Sequence, residues 1–154
     1  MQTALFSSPV AGRAGAALAA VALALGTSAA VQAAAPTVVT VSMTNEAGGA
    51  QVMRLDRGEV PPGRVTFKVR NDSRDTVHEF LLVPTALTPD QFPLAKAGDW
   101  VDEKKLKGIR ELGDLKPGKA GAMTVDLKPG HYVMFCNQPG HFGHGMHAEL
   151  TVAG

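Results

Sequence analysis

Proline and glycine punctuate this chain so often after residue 36 that no long helix has room to form, and the segments between them are short. Pro61-Pro62-Gly63, Lys116-Pro117-Gly118 and Lys128-Pro129-Gly130 each place proline before glycine. That is the order of a type II turn, in which proline presets φ and glycine accepts the positive φ that follows. Leu-Lys-Pro-Gly occurs at both 115–118 and 127–130, which reads as two similar turns flanking one strand. Segments rich in Val, Thr and aromatic residues fill the intervals: 37–43, 50–55, 64–71, 77–83, 121–127, 131–136 and 147–152. In RVTFKVR the apolar Val65, Phe67 and Val69 alternate with Thr66, Lys68 and Arg70, giving one buried and one wet face. A single all-β domain is therefore expected, a β-sandwich of about seven to eight strands.

One region breaks the pattern. Between Pro84 and Gly113 the sequence loses its alternation and gains Pro89, Pro93 and a charge run. A long, partly helical connection around 84–113 is expected there, with a helical turn near Asp102 to Lys107 and Trp100 packing the excursion onto the sandwich.

The first residues carry a single charge, Arg13, ahead of an Ala/Leu/Val run over 14–25 and small residues up to Val31-Gln32-Ala33. This is the pattern of a secretory leader over 1–33, cleaved after Ala33 or Ala35, with the domain occupying 36–154 and lying in the periplasm. The apolar run is too short and alanine-rich for a stable membrane span. Without the leader, Lys+Arg fall from 15 to 14 against 14 Asp+Glu. That neutral balance argues against nucleic acid as a partner.

In an exported chain the single cysteine has no internal disulfide partner, so Cys136 must be buried, reactive or metal-bound. It opens CNQPGHFGHGMHAEL, which sets a thiol, three imidazoles and a thioether within twelve residues. Soft thiolate and thioether with borderline imidazole are the donors that select copper, and Cys136, His141 and Met146 supply one of each as Cys-x4-His-x4-Met. Pro139-Gly140, Gly143 and Gly145 permit the tight path that returns Met146 toward the cysteine. A His2Cys centre with an axial methionine needs a second histidine. His78 is the best candidate, because it falls in step with Phe80 and Leu82 on an apolar strand face. His144 and His147 remain alternatives, but they would draw every ligand from one flexible segment.

VHEFLLV, the DLKPG turn, HYVMFC and CNQPGHFGHGM together resemble the cupredoxins, in particular small exported members related to plastocyanin, azurin and rusticyanin. The resemblance covers roughly residues 37–153. It implies a Greek-key sandwich holding one type 1 copper, with His78, Cys136 and His141 as equatorial ligands and Met146 as the axial one. Azurin-like members commonly carry asparagine after the upstream histidine, whereas Glu79 stands here.

These features make a one-electron carrier the expected function. Redox protein partners would dock near His141 on a small apolar patch formed by Pro139 and Phe142, and the protein would act as a monomer. The alternative is copper carriage or tolerance, with His144 and His147 passing on the ion. Met43, Met53, Met123 and Met134 read as core fillers rather than as a copper-binding tract. An enzyme is not expected: dinuclear copper needs two cysteines, and a thiol hydrolase built on Cys136 and His141 would leave Met146 without a role.

Overall fold

The computed structural model describes residues 37–95 and 100–154, so the predicted leader and its cleavage site lie outside the described residues. Among the described residues nine strands pack as two sheets: β1 (Thr37–Asn45), β2 (Gln51–Leu55), β3 (Glu59–Val60), β4 (Gly63–Asn71), β5 (His78–Pro84), β6 (Arg110–Leu115), β7 (Ala120–Leu127), β8 (Gly130–Phe135) and β9 (His147–Val152). One sheet runs β2-β1-β4-β7 and the other β3-β9-β8-β5-β6. The chain crosses repeatedly between the sheets, as a Greek-key sandwich requires.

The alternation in RVTFKVR does what the sequence implies. Val65, Phe67 and Val69 are buried with Val39, Val41 and Met43 of β1, facing Phe80, Leu82, Met134 and Leu150 of the other sheet. The methionines act as fillers: Met43, Met53 and Met134 are buried and Met123 packs against the same core. Strands β5 and β8 instead carry nearly continuous apolar runs, the mark of a sheet covered on both faces. Leu81, Val83, Val133 and Phe135 form the outer layer, and the 84–113 excursion covers them through Phe92, Val101, Leu106 and Ile109.

The helical turn expected near Asp102 to Lys107 is present as a 3-10 turn, Glu103–Lys105, and a second stands at Pro89–Gln91. The excursion differs from expectation in two other ways. Its last part is strand β6, which pairs with β5 from His78↔Leu115 to Leu82↔Arg110 across a bulge at Phe80/Leu81. Trp100 is not the anchor: it is 40 % exposed, while Phe92 and Val101 do the packing.

The turns also sort themselves. Lys116 to Lys119 closes with Lys119 N–H donating to Lys116 O at 3.0 Å and Gly118 at φ 70°, as a type II turn should. Gly63 and Gly130 adopt φ 120° and 149°, away from the type II value, and each opens a strand, pairing with Leu127 and Val152. Tyr132 fastens the second of these turns, its hydroxyl accepting from Lys128 N–H at 3.1 Å and donating to Lys128 O at 2.9 Å.

Candidate metal centre

Three elements meet at one end of the sandwich. His78 is the first residue of β5, in step with Phe80 and Leu82 on the inner face, and it is 0 % exposed. Cys136 follows β8 directly and is 0 % exposed as well. His141 sits on the loop between β8 and β9, half-buried.

That loop is shaped by backbone hydrogen bonds. His141 N–H donates to Gln138 O at 3.0 Å around Pro139-Gly140, where Gly140 has φ 80°. Gly145 has φ 99°, and a Cβ there would stand 3.1 Å from Gln51 O. The close approach is used, because Gln51 N–H donates to His144 O at 3.0 Å and ties the loop to β2. Met146 N–H then donates to His141 O, and Cys136 N–H to Met146 O, each at 3.0 Å. The backbone thereby brings Met146 back to the cysteine, and its side chain is buried in the core cluster that holds Cys136.

The donor atoms converge. His78 Nδ1 and His141 Nδ1 are 3.2 Å apart, and Cys136 Sγ lies 3.3 Å from His141 Nδ1 and 4.0 Å from His78 Nδ1. One donor atom from each of the three residues falls within 4.8 Å of the others, the single such group among the described residues. Bonds of about 2.0 Å to nitrogen and 2.3 Å to sulfur, typical of a first-row ion such as zinc, ask for donors roughly 3 to 4 Å apart. The residues fit an ion of that size. Among first-row metals the thiolate–imidazole–thioether set favours copper.

His144 and His147 are not part of the cluster. His144 is exposed and its Nδ1 bonds to Gly140 O at 2.7 Å, while His147 packs its ring against Phe142. Phe142, expected in an apolar surface patch, is 6 % exposed. It stacks on Phe92 with centroids 5.4 Å apart and meets Phe135 edge-on at 5.9 Å, so it belongs to the outer core layer.

The electrostatics suit a cation. Burial, and then the neighbouring His141, depress the His78 pKa to about 4, so the ring stays neutral with a lone pair to offer. Burial likewise lowers the pKa of His141. Burial pushes the Cys136 thiol up to about 11, partly offset by the Glu79 and Gln138 amides that point at sulfur. A buried thiol of this kind is a poor free nucleophile, which removes the hydrolase reading. A metal ion would displace its proton. Glu79 follows His78: its N–H donates to Cys136 Sγ at 3.2 Å, and burial with Glu111, Glu103 and Asp114 nearby raises its carboxyl to about 7.

Two polar residues near the centre escaped the sequence reading. Asn137 behaves as a strand partner to the excursion, its Oδ1 accepting from Val101 N–H at 2.7 Å and its Nδ2 donating to Val101 O at 3.2 Å and Glu103 Oε1 at 2.6 Å. Asn45, at the end of β1, places its Oδ1 2.9 Å from His78 Nε2. Asn45 lies in no motif, and Asn137, although inside the cysteine loop, has a partner 36 residues away that no local pattern announces.

The architecture has counterparts among solved structures. Auracyanin of Roseiflexus castenholzii superposes with a TM-score of 0.53 at 23 % identity, over 79 % of this chain and 100 % of that one. Rusticyanin of Thiobacillus ferrooxidans gives 0.52 at 18 % identity, over 77 % and 79 %. This chain has the cupredoxin fold. No protein-family model matches the sequence, and neither does any curated protein. Within this fold His78 stands on strand β5, and Cys136, His141 and Met146 lie between β8 and β9. Rusticyanin is described as a copper protein.

Proposed function

We propose that this protein is a mononuclear type 1 copper electron carrier of the periplasm, in which His78, Cys136, His141 and Met146 would hold the ion. The observation that carries this reading is the convergence of a thiol and two imidazole Nδ1 atoms within 4.8 Å on a buried, strand-held frame. Copper, when bound, supplies the one-electron couple. The chain supplies the rest: His78 and Cys136, both 0 % exposed, exclude water and resist displacement, so the donors need little rearrangement when charge changes.

Access is confined to one side. His141 is half-buried, with Pro139, Gly143 and His144 exposed around it. A redox protein partner would dock on this rim, and the protein works as a monomer. Among the described residues no helix is long and apolar enough to cross a membrane. Export through the leader over 1–33 is part of the same reading.

Copper carriage is the weaker alternative, because handing on an ion requires ligands that can exchange. Three of the four donors, His78, Cys136 and Met146, are sealed inside the sandwich. Loading the purified mature chain with one equivalent of Cu(II) tests the reading. An intense visible thiolate band with small copper hyperfine splitting is expected; a pale solution with large splitting would show that Cys136 is not a ligand and overturn it.

A further inference from the structure

Resting on that reading of the site, we propose that Asn45 is a positioning residue: it holds the His78 ring with hydrogen on Nε2, so that the Nδ1 lone pair faces Cys136 and His141. The direction of each hydrogen bond is fixed in turn from the surface inward. Asp75 Oδ1, a carboxylate oxygen, can only accept, so the Thr76 hydroxyl 2.9 Å away donates to it. Having spent its hydrogen, Thr76 Oγ1 accepts from Asn45 Nδ2 at 2.6 Å. The Asn45 amide is thereby oriented with Oδ1 toward His78 Nε2, 2.9 Å away. An oxygen there can only accept, so Nε2 carries the hydrogen and Nδ1 is left with its lone pair. The relay runs from a surface carboxylate to a buried ring.

Its middle member is held in place independently. Thr76 O accepts from Asn71 Nδ2 at 2.8 Å and lies 2.6 Å from Ser73 Oγ, whose one hydrogen it shares with Asn71 Oδ1. Asn71, 0 % exposed, spends its other groups on Leu115 O at 2.7 Å and on the Ser73 N–H and Oγ at 2.9 and 2.6 Å. Leu115 is the residue opposite His78 in the β5–β6 pair. The 71–76 segment is thus strapped to the same strands that carry the ligand, and Asn45 reaches the ring from the other sheet. This arrangement fixes the tautomer before any metal arrives. Outer hydrogen bonds of this kind are typically worth about 10- to 100-fold in metal affinity.

The test compares wild type with Asn45→Leu, Asn45→Asp and Thr76→Val, by nitrogen-resolved NMR of the His78 ring in the metal-free protein and by copper competition against a chelator. Wild type should show a single Nε2–H tautomer. Asn45→Leu should mix the tautomers and weaken copper binding by about 10- to 100-fold. Asn45→Asp keeps an acceptor at Oδ1 and should restore both. Thr76→Val, which leaves Asn45 free to turn its amide over, should fall between. If Asn45→Leu only lowers the melting temperature, with tautomer and affinity as in wild type, Asn45 is a structural residue and the proposal fails. If wild type itself gives no thiolate band with copper, the type 1 reading fails, while the metal-free tautomer comparison still decides the role of Asn45.

Discussion

His78 and His141 present their Nδ1 atoms 3.2 Å apart, yet the chain delivers them by opposite means. His78 begins a strand in the middle of a sheet, is 0 % exposed, and has its second nitrogen tied to Asn45. His141 rides on a loop whose course depends on Pro139-Gly140 and Gly145, and one side of it is open to solvent. The contrast separates two jobs that one centre must do. In the proposed electron carrier the strand side would set the geometry and keep water out, and the loop side would give the electron a way in while bringing the cysteine, histidine and methionine together.

The largest effect should come from removing what both histidines share. Cys136→Ala should abolish the intense visible band completely, since the chain has no other cysteine to supply a thiolate. The metal-free fold should lose only about 1 kcal/mol, because the change removes one small buried group. A retained band in the absorption spectrum would disprove thiolate ligation.

Glycine variants of the two histidines sharpen the comparison. In His141→Gly the vacated position lies on the open side, so added imidazole should enter and restore the band within mixing time. In His78→Gly the vacancy is sealed among core residues, and the same imidazole should restore little. Titrating imidazole into both copper-loaded variants and reading the band decides it. Equal rescue would mean the strand side is not closed.

A third pair tests the loop alone. Gly145→Ala forces a side chain into φ 99° with a Cβ 3.1 Å from Gln51 O, and should cost about 1 to 3 kcal/mol in urea unfolding. Gly143→Ala has no positive φ and its nearest neighbour is Gly140 O at 3.8 Å, so it should be nearly neutral. If the two variants unfold alike, the loop is not held by its contact with β2.

The same division explains what could be read in the sequence. The loop donors were legible because thiol, imidazole and thioether are few in the chain and lie close together in it. His78 was legible because strand alternation places it in step with Phe80 and Leu82. Asn45 was not, since it precedes His78 by 33 residues and its role exists only once β1 is laid beside the ring. Strand β6 was hidden for a related reason. Its Arg110, Glu111 and Asp114 carry no apolar alternation, and it becomes a strand by pairing with β5 at the sheet edge. Phe142 was misplaced on the surface because nothing local signals that Phe92 comes from the excursion to cover it. The continuous apolar runs of β5 and β8 did carry that information, since a sheet with both faces apolar needs a cover on each.

The smallest expected effect concerns Glu79, which belongs to both sides of the comparison. Its amide reaches from the strand to the Cys136 sulfur at 3.2 Å, and its carboxyl lies with Glu103, Glu111 and Asp114 beside the residues that follow the cysteine. Burial, reinforced by those three acids, is what raises this carboxyl to about 7, so the chain keeps an acid where ionisation is already costly. When ionised, it favours the more positive state of a neighbouring centre, which for copper is the oxidised one. Glu79→Gln removes that charge, leaves the amide in place, and should therefore raise the reduction potential. Across an effective dielectric between those of protein and water the interaction is about 1 kcal/mol or less, which for one electron corresponds to a few tens of millivolts. Cyclic voltammetry well above pH 7 compares the two proteins with the wild-type carboxyl charged. A rise without a change in the visible band would place Glu79 as an electrostatic tuner acting through space. An unchanged potential would mean that solvent screens its charge, and that the amide alone links Glu79 to the centre.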